Sequence, residues 1–120
     1  MYKKKILIFD DDIAVLNVLK QIFLEDGYDV EVSRTLQNVV ECAEDFQPDL
    51  ILIDYLIPEM RDTKPINELR NSQEFCHVAV ILLSASTNII KIKNISGAND
   101  YLIKPFNLSD LEAVVTKYLS

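Results

Sequence analysis

The sequence has no tryptophan, one histidine, two cysteines and two glycines, and each shortage excludes something. Cys42 and Cys76 lie far apart and in no metal-ligand spacing. They can form neither a disulfide framework nor a zinc knuckle, and two thiols without a secretory signal fit a reducing cytoplasm. No repeat, low-complexity tract or Gly/Ser-rich linker divides the 120 residues, so we expect one domain over 1–120. Cations are also short: 12 Lys and Arg face 19 Asp and Glu, for a net charge of −7 and a pI near 4.6. That balance argues against direct contact with nucleic acid or an anionic membrane surface, both of which need basic patches. The basic Lys3-Lys4-Lys5 is followed by an apolar run that stops at Asp10, too short for a signal h-region or a membrane span.

What is present is periodic. Five short apolar runs rich in β-branched residues occupy Ile6–Phe9, Val30–Val32, Leu50–Ile53, Val78–Leu83 and Tyr101–Ile103. Most are apolar throughout, as expected of parallel strands covered on both faces. The second alternates and suits a sheet edge. Helical spacing lies between them. Val15, Leu16, Leu19, Ile22 and Phe23 share one face, with Gly27 as a stop. Thr35 is a candidate cap for a helix carrying Leu36, Val39, Val40 and Ala43 that closes before Pro48. A weakly amphipathic third helix starts near Thr63, with Pro65 tolerable only in its first turn. A fourth spans about Thr87–Ile95, before Gly97. The fifth carries Leu108, Leu111, Val115 and Tyr118, capped by Asn107 or Ser109. Strand and helix alternate five times, which implies an α/β fold with a parallel sheet between helical layers and right-handed crossovers.

In such folds ligands collect where the strands end. The first run leads into Asp10-Asp11-Asp12, the third ends at Asp54, the fourth at Ser84, and Lys104-Pro105 follows the fifth. Asp10, Asp11 and Asp54 would repel one another, which raises their affinity for protons or a cation. A hard divalent ion relieves that conflict, and magnesium is the intracellular candidate. A metal, a lysine and a hydroxyl suffice for phosphoryl transfer, which is mostly positioning and charge stabilisation. An aspartate can be the nucleophile and form an acyl phosphate. Each residue alone has a plainer explanation. Asp12 is best read as a helix cap, Tyr101 as a half-buried strand residue, and Ser84 or Lys104 as structural. Their joint placement at successive strand ends outweighs those explanations.

Four segments carry a resemblance. Ile6 to Asp12, Pro48 to Asp54 with Pro58 and Met60 beyond, Leu82-Leu83-Ser84-Ala85, and Gly97 to Phe106 are together similar to response-regulator receiver domains, in order and over essentially the whole chain. The resemblance implies a doubly wound, flavodoxin-like (βα)5 fold with five parallel strands in the order 2-1-3-4-5. It implies that Asp54 accepts a phosphoryl group from a histidine kinase or a His-phosphotransfer protein. Asp10 and Asp11 would hold Mg2+, one directly and one through water, together with Asp54 and the backbone carbonyl of Leu56. Ser84 and Lys104 would contact phosphoryl oxygens, with a cis peptide at Lys104-Pro105. Tyr101 would be the rotameric switch, and the face of the fourth helix, fifth strand and fifth helix would meet an output domain, a target protein or a second copy. Such a chain is a switch rather than an enzyme, catalysing only its own aspartyl phosphorylation and dephosphorylation. One departure stands out: Arg61-Asp62 replaces the usual Asp-Gly of the loop, at a position where backbone geometry favours glycine.

Three rivals are weaker. A haloacid-dehalogenase-like phosphatase with Asp10 as nucleophile would use Asp12, Ser84 and Lys104, but lacks the later acidic pair and leaves Asp54 without a role. A flavodoxin-like flavin binder needs a Gly-, Ser- or Thr-rich phosphate loop where this chain has three carboxylates. A receiver that has lost phosphorylation would not keep all five site residues. His77, just before a strand, is an ordinary loop residue and a poor phosphodonor.

Overall fold

A computed structural model of the chain describes residues 3–54, 63–85 and 88–120. Strands and helices alternate as β1 (Lys5–Phe9), α1 (Ile13–Glu25), β2 (Asp29–Ser33), α2 (Val39–Phe46), β3 (Leu50–Asp54), α3 (Lys64–Asn71), β4 (Ala79–Ser84), α4 (Ile89–Ser96), β5 (Asp100–Ile103) and α5 (Leu108–Leu119). The sheet is parallel throughout, in the order β2-β1-β3-β4-β5. β2 lies at an edge, as its alternating pattern predicts, and none of its residues is fully buried.

Strand parity divides the core. Ile6, Ile8, Leu50, Leu52, Ile81 and Leu83 pack against Leu16, Leu19 and Phe23 of α1 and Leu111, Val115 and Leu119 of α5. The alternate residues Leu7, Phe9, Ile51, Ile53, Val80 and Leu82 pack against α2, α3 and α4. The sheet is therefore covered on both sides, which is why its central runs are apolar without alternation. Each large aliphatic side chain removed from water contributes about 1.5–3 kcal/mol, so the central strands are held far more firmly than β2 or β5.

Local signals set several helix ends. Asp12 caps α1, its carboxylate accepting from the N–H groups of Ala14 and Val15 at 2.9 and 3.4 Å. Asn107 caps α5 by accepting from the N–H of Asp110 at 2.8 Å, which decides between Asn107 and Ser109. Gly97 closes α4 in the left-handed region, at φ 86°. Two expectations need correction. The second helix begins at Val39 after Asn38, not after Thr35. Thr35 instead accepts from the N–H of Gln37 at 3.2 Å, a local turn that competes with helix; Leu36 is still buried, but from the loop. The third helix is not weakly amphipathic in place: Pro65, Ile66 and Leu69 are buried along one side. Its polar residues are on the other side, a division that its short apolar stripe hid in the sequence. Thr63 precedes it at φ 58°. Leu56, Pro58, Met60, Arg61, Asp62 and Thr87 lie outside the described residues.

Candidate functional site

The carboxyl ends of β1, β3 and β4 and the segment after β5 converge on one rim. Asp10 stands one residue past β1 and is still tethered to the sheet, its N–H donating to the carbonyl of Ser33 at 3.1 Å. One oxygen of its carboxylate accepts from the N–H of Asp12 at 2.9 Å. The turn Asp10-Asp11-Asp12 is thus fixed from within, and α1 begins from its third residue. Asp54 is the last residue of β3. Asp10 and Asp54 are 0% and 2% exposed, whereas Asp11 faces solvent. One carboxylate oxygen from each of the three comes within 4.8 Å of the others.

Lys104 answers them. Its ammonium lies 3.4 Å from Asp10 Oδ2 and 3.6 Å from Asp54 Oδ1. Its N–H donates to the carbonyl of Ser84 at 2.8 Å, and the Lys104-Pro105 peptide is cis. Ser84 ends β4 fully buried, one step beyond the Asp54↔Leu83 pair of the ladder. By strand parity Asp10, Asp54 and Lys104 belong to the α1/α5 side of the sheet. Ser84 and Tyr101 belong to the α4 side, and Tyr101 pairs in register with Leu82, a diagonal step from Ser84.

Three carboxylates against one ammonium leave an excess of negative charge, two of the acids being out of water. Burying a charge is tolerated only when it is paired, so the donor set suits a hard divalent cation bound through oxygen. The site is coherent as the sequence places it: Asp10, Asp11, Asp54, Ser84 and Lys104 share the rim, and Asp12 is the cap. Leu56 lies outside the described residues. One participant escaped the sequence reading. Arg34, just after β2, donates from Nε and from a terminal nitrogen to the carbonyl of Asp11, both at 3.2 Å. A single arginine after an edge strand carries no local signal of such a contact.

Comparisons with known proteins agree with this geometry. Residues 6–116 match the family described as the response regulator receiver domain. The DNA-binding dual master transcriptional regulator RpaA of Synechocystis sp. is 33% identical over 96% of this chain and 48% of its own length. The signal receiver domain of a signal transduction histidine kinase from Syntrophus aciditrophicus is 30% identical, covering 97% of this chain and 89% of that one at a TM-score of 0.86. The receiver domain of a sensor histidine kinase from Pseudomonas aeruginosa PAO1, solved with a magnesium ion coordinated in the active site cleft, is 25% identical, with 98% of each chain covered and a TM-score of 0.87. The chain spans about half the length of most curated relatives it matches, with shares from 25% to 56%. Neither the family match nor the strand order supports a haloacid-dehalogenase phosphatase. A parallel sheet in the order 2-1-3-4-5, an acidic rim answered by one lysine, and a family match over nearly the whole chain lead to one conclusion: this chain belongs to the response regulator receiver domain family.

Proposed function

We propose that this domain is phosphorylated on Asp54 in a magnesium-dependent reaction and that the phosphoryl group switches an output surface. The observation that carries the proposal is the buried Asp54 carboxylate 3.6 Å from the Lys104 ammonium, with Asp10 and Asp11 in reach of the same point. Asp10, Asp11 and Asp54 would hold Mg2+, joined by the carbonyl of Leu56. A bound magnesium supplies positive charge against the phosphoryl oxygens. In the transfer, an Asp54 carboxylate oxygen forms a bond to phosphorus as the bond from phosphorus to the donor's histidine nitrogen breaks. The electron pair stays on that nitrogen, which takes a proton from water. Lys104 and the Ser84 hydroxyl contact phosphoryl oxygens, and burial strengthens both contacts. The domain's own catalysis is confined to gaining and losing this phosphoryl group.

Two surfaces support the partners. Beside the rim, Val15, Val18, Ile22, Phe106 and Leu108 line an apolar groove between α1 and α5 that adjoins Lys104 and Pro105. It suits a helix of a histidine kinase or a His-phosphotransfer protein presenting its phosphohistidine to Asp54. On the α4–β5–α5 face, Ile90, Ile95 and Ile103 are more than half exposed. That face suits an output domain, a target protein or a second copy, with Tyr101 as the switch between it and Ser84. Such a partner set belongs in the cytoplasm; among the described residues no helix is long and apolar enough to cross a membrane.

The test is incubation with acetyl phosphate and magnesium followed by mass spectrometry. We expect one added phosphoryl group in wild type, none in Asp54→Asn, and none in wild type with chelator. Undiminished incorporation in Asp54→Asn would overturn the assignment.

A further inference from the structure

Lys104 reaches the rim only if β5 is in register with β4, and β5 has just four residues at a sheet edge. None of its four residues is fully buried, so burial specifies its register less firmly than that of the central strands, and a slip of one residue turns every side chain to the other face. Something outside the strand must hold it. Immediately before β5, Asn99 is paired with Val80 on both sides: its N–H donates to the Val80 carbonyl at 2.8 Å, and its Oδ1 accepts from the Val80 N–H at 2.8 Å. The same Oδ1 accepts from the Arg70 guanidinium at 2.7 Å.

Arg70 comes from α3 and grips the whole joint. It donates to the carbonyl of Gly97 at 3.0 Å and of Val78 at 2.7 Å, with longer contacts to Phe75 and Cys76 at 3.4 Å. All these acceptors are uncharged oxygens. Burial pushes the guanidinium below its ordinary range, a cost that the converging carbonyls offset. A neutral side chain has no equivalent fork. Tyr118 of α5 adds a contact from its hydroxyl to the carbonyl of Asn99 at 3.2 Å. From this clasp the ladder runs Ile81↔Asp100 to Ser84↔Ile103 and delivers Lys104 five residues later, roughly 16 Å away at about 3.3 Å per residue.

We propose that Arg70 and Asn99 are positioning residues for Lys104: their clasp fixes the β4–β5 register that carries the lysine to Asp10 and Asp54. The proposal rests on the phosphoacceptor reading only for the role of Lys104. It separates two halves of the site, because the carboxylates stand on β1 and β3 and do not depend on β5.

The test compares wild type, Arg70→Met, Asn99→Leu and Asn99→Asp in the full chain, at a temperature where circular dichroism shows all four folded. Three quantities are read: the acetyl phosphate phosphorylation rate at saturating magnesium, magnesium affinity by titration calorimetry, and cross-strand β4–β5 contacts by NMR. In Arg70→Met and Asn99→Leu we expect phosphorylation to fall about tenfold or more, since small misplacements of a catalytic group are costly. Magnesium affinity should not fall, because the carboxylates stay on β1 and β3 and withdrawing the Lys104 ammonium from Asp10 and Asp54 removes a competing positive charge. Asn99→Asp keeps both acceptor bonds and should return to near the wild-type rate. Parallel loss of magnesium affinity, or a normal rate in Asn99→Leu, would overturn the proposal. If wild type itself takes no phosphoryl group, the phosphoacceptor reading fails. The NMR contacts then decide the register alone, and intact β4–β5 pairing in Asn99→Leu refutes the clasp. Should Asn99→Leu not fold, Arg70→Lys replaces it, keeping the charge but reaching fewer of these oxygens.

Discussion

The two ends of the sheet solve opposite problems. At the carboxyl end, Asp10, Asp11 and Asp54 crowd like charges against one ammonium, so the folded state carries repulsion there. At the amino end, the half-buried Arg70 cation meets neutral oxygens of two segments, Val78 before β4 and the Gly97–Asn99 turn before β5, with no carboxylate among its described partners. The first end has three carboxylates to one ammonium; the second joins α3 to the β4 and β5 approaches by hydrogen bonds. Unbalanced charge at one end and closed hydrogen bonds at the other suit the switch and the scaffold that the proposed function requires.

The comparison breaks most visibly in the second region. Arg70→Met keeps much of the aliphatic stem but removes the side-chain donor from the carbonyls of Gly97 and Val78 and one of two donors from the Asn99 amide oxygen. Of these three bonds only the one to Val78 is part-buried, the others being exposed. One unsatisfied buried polar group costs about 1–3 kcal/mol, so we expect a loss at the lower end of that range, roughly 1–2 kcal/mol. Urea unfolding should show it as a lower midpoint at unchanged slope. A loss under about 0.5 kcal/mol, the ordinary scatter of surface substitutions, would mean the clasp is no more than surface contact.

At the other end a charge-removing substitution should do the reverse. Asp11→Asn relieves repulsion and should raise the melting temperature in chelator. In wild type, magnesium at about tenfold excess over Kd should add roughly 1.4 kcal/mol, a rise of roughly 4–8 °C for a domain near this size. In Asp11→Asn that rise should shrink. Equal magnesium shifts in both proteins would show that the cation is not held by this acidic rim.

The two ends also differ in how well the sequence announces them. The rim was legible because its residues terminate apolar runs: Asp10, Asp54, Ser84 and Lys104 each follow one directly. All five strands were legible for the same reason, although β4 extends to Ser84 itself. The clasp was not legible. Arg70 reads as a surface cation near the end of α3, and Asn99 as one polar residue of a turn; only the packing of α3 against the α4–β5 joint brings them together. Thr35 misled because a threonine before an apolar stripe is a plausible cap, while its local turn with Gln37 delays the helix by about one turn.

A smaller acidic contact, between α1 and α5, repeats the rim's conflict where neither substitution reaches. Glu112 faces Asp26, the residue closing α1, across a hollow lined by Phe23, Tyr28, Val115 and Thr116. A hydrogen bond shared with Asp26, then partial desolvation, then the Asp26 charge raise the Glu112 pKa from its ordinary 4.5. The folded state therefore binds this proton more tightly than the unfolded chain does. The contribution to stability is fully present below the unfolded pKa and is lost as pH rises through the raised folded value. The Asp26 charge disfavours the ionised form of Glu112, and Glu112 faces it at the C-terminus of α1, where the macrodipole disfavours an anion. Glu112→Gln keeps the shape and an amide donor for Asp26 and removes the titration. Its melting temperature should exceed that of wild type slightly at pH 7, and the difference should narrow as pH falls through the raised folded value towards the ordinary 4.5. Because the pair is solvent-exposed, added salt should also diminish the neutral-pH difference. Parallel melts from pH 4 to pH 7 decide it: a constant offset between the two proteins would mean that Glu112 and Asp26 do not share a proton in the folded state.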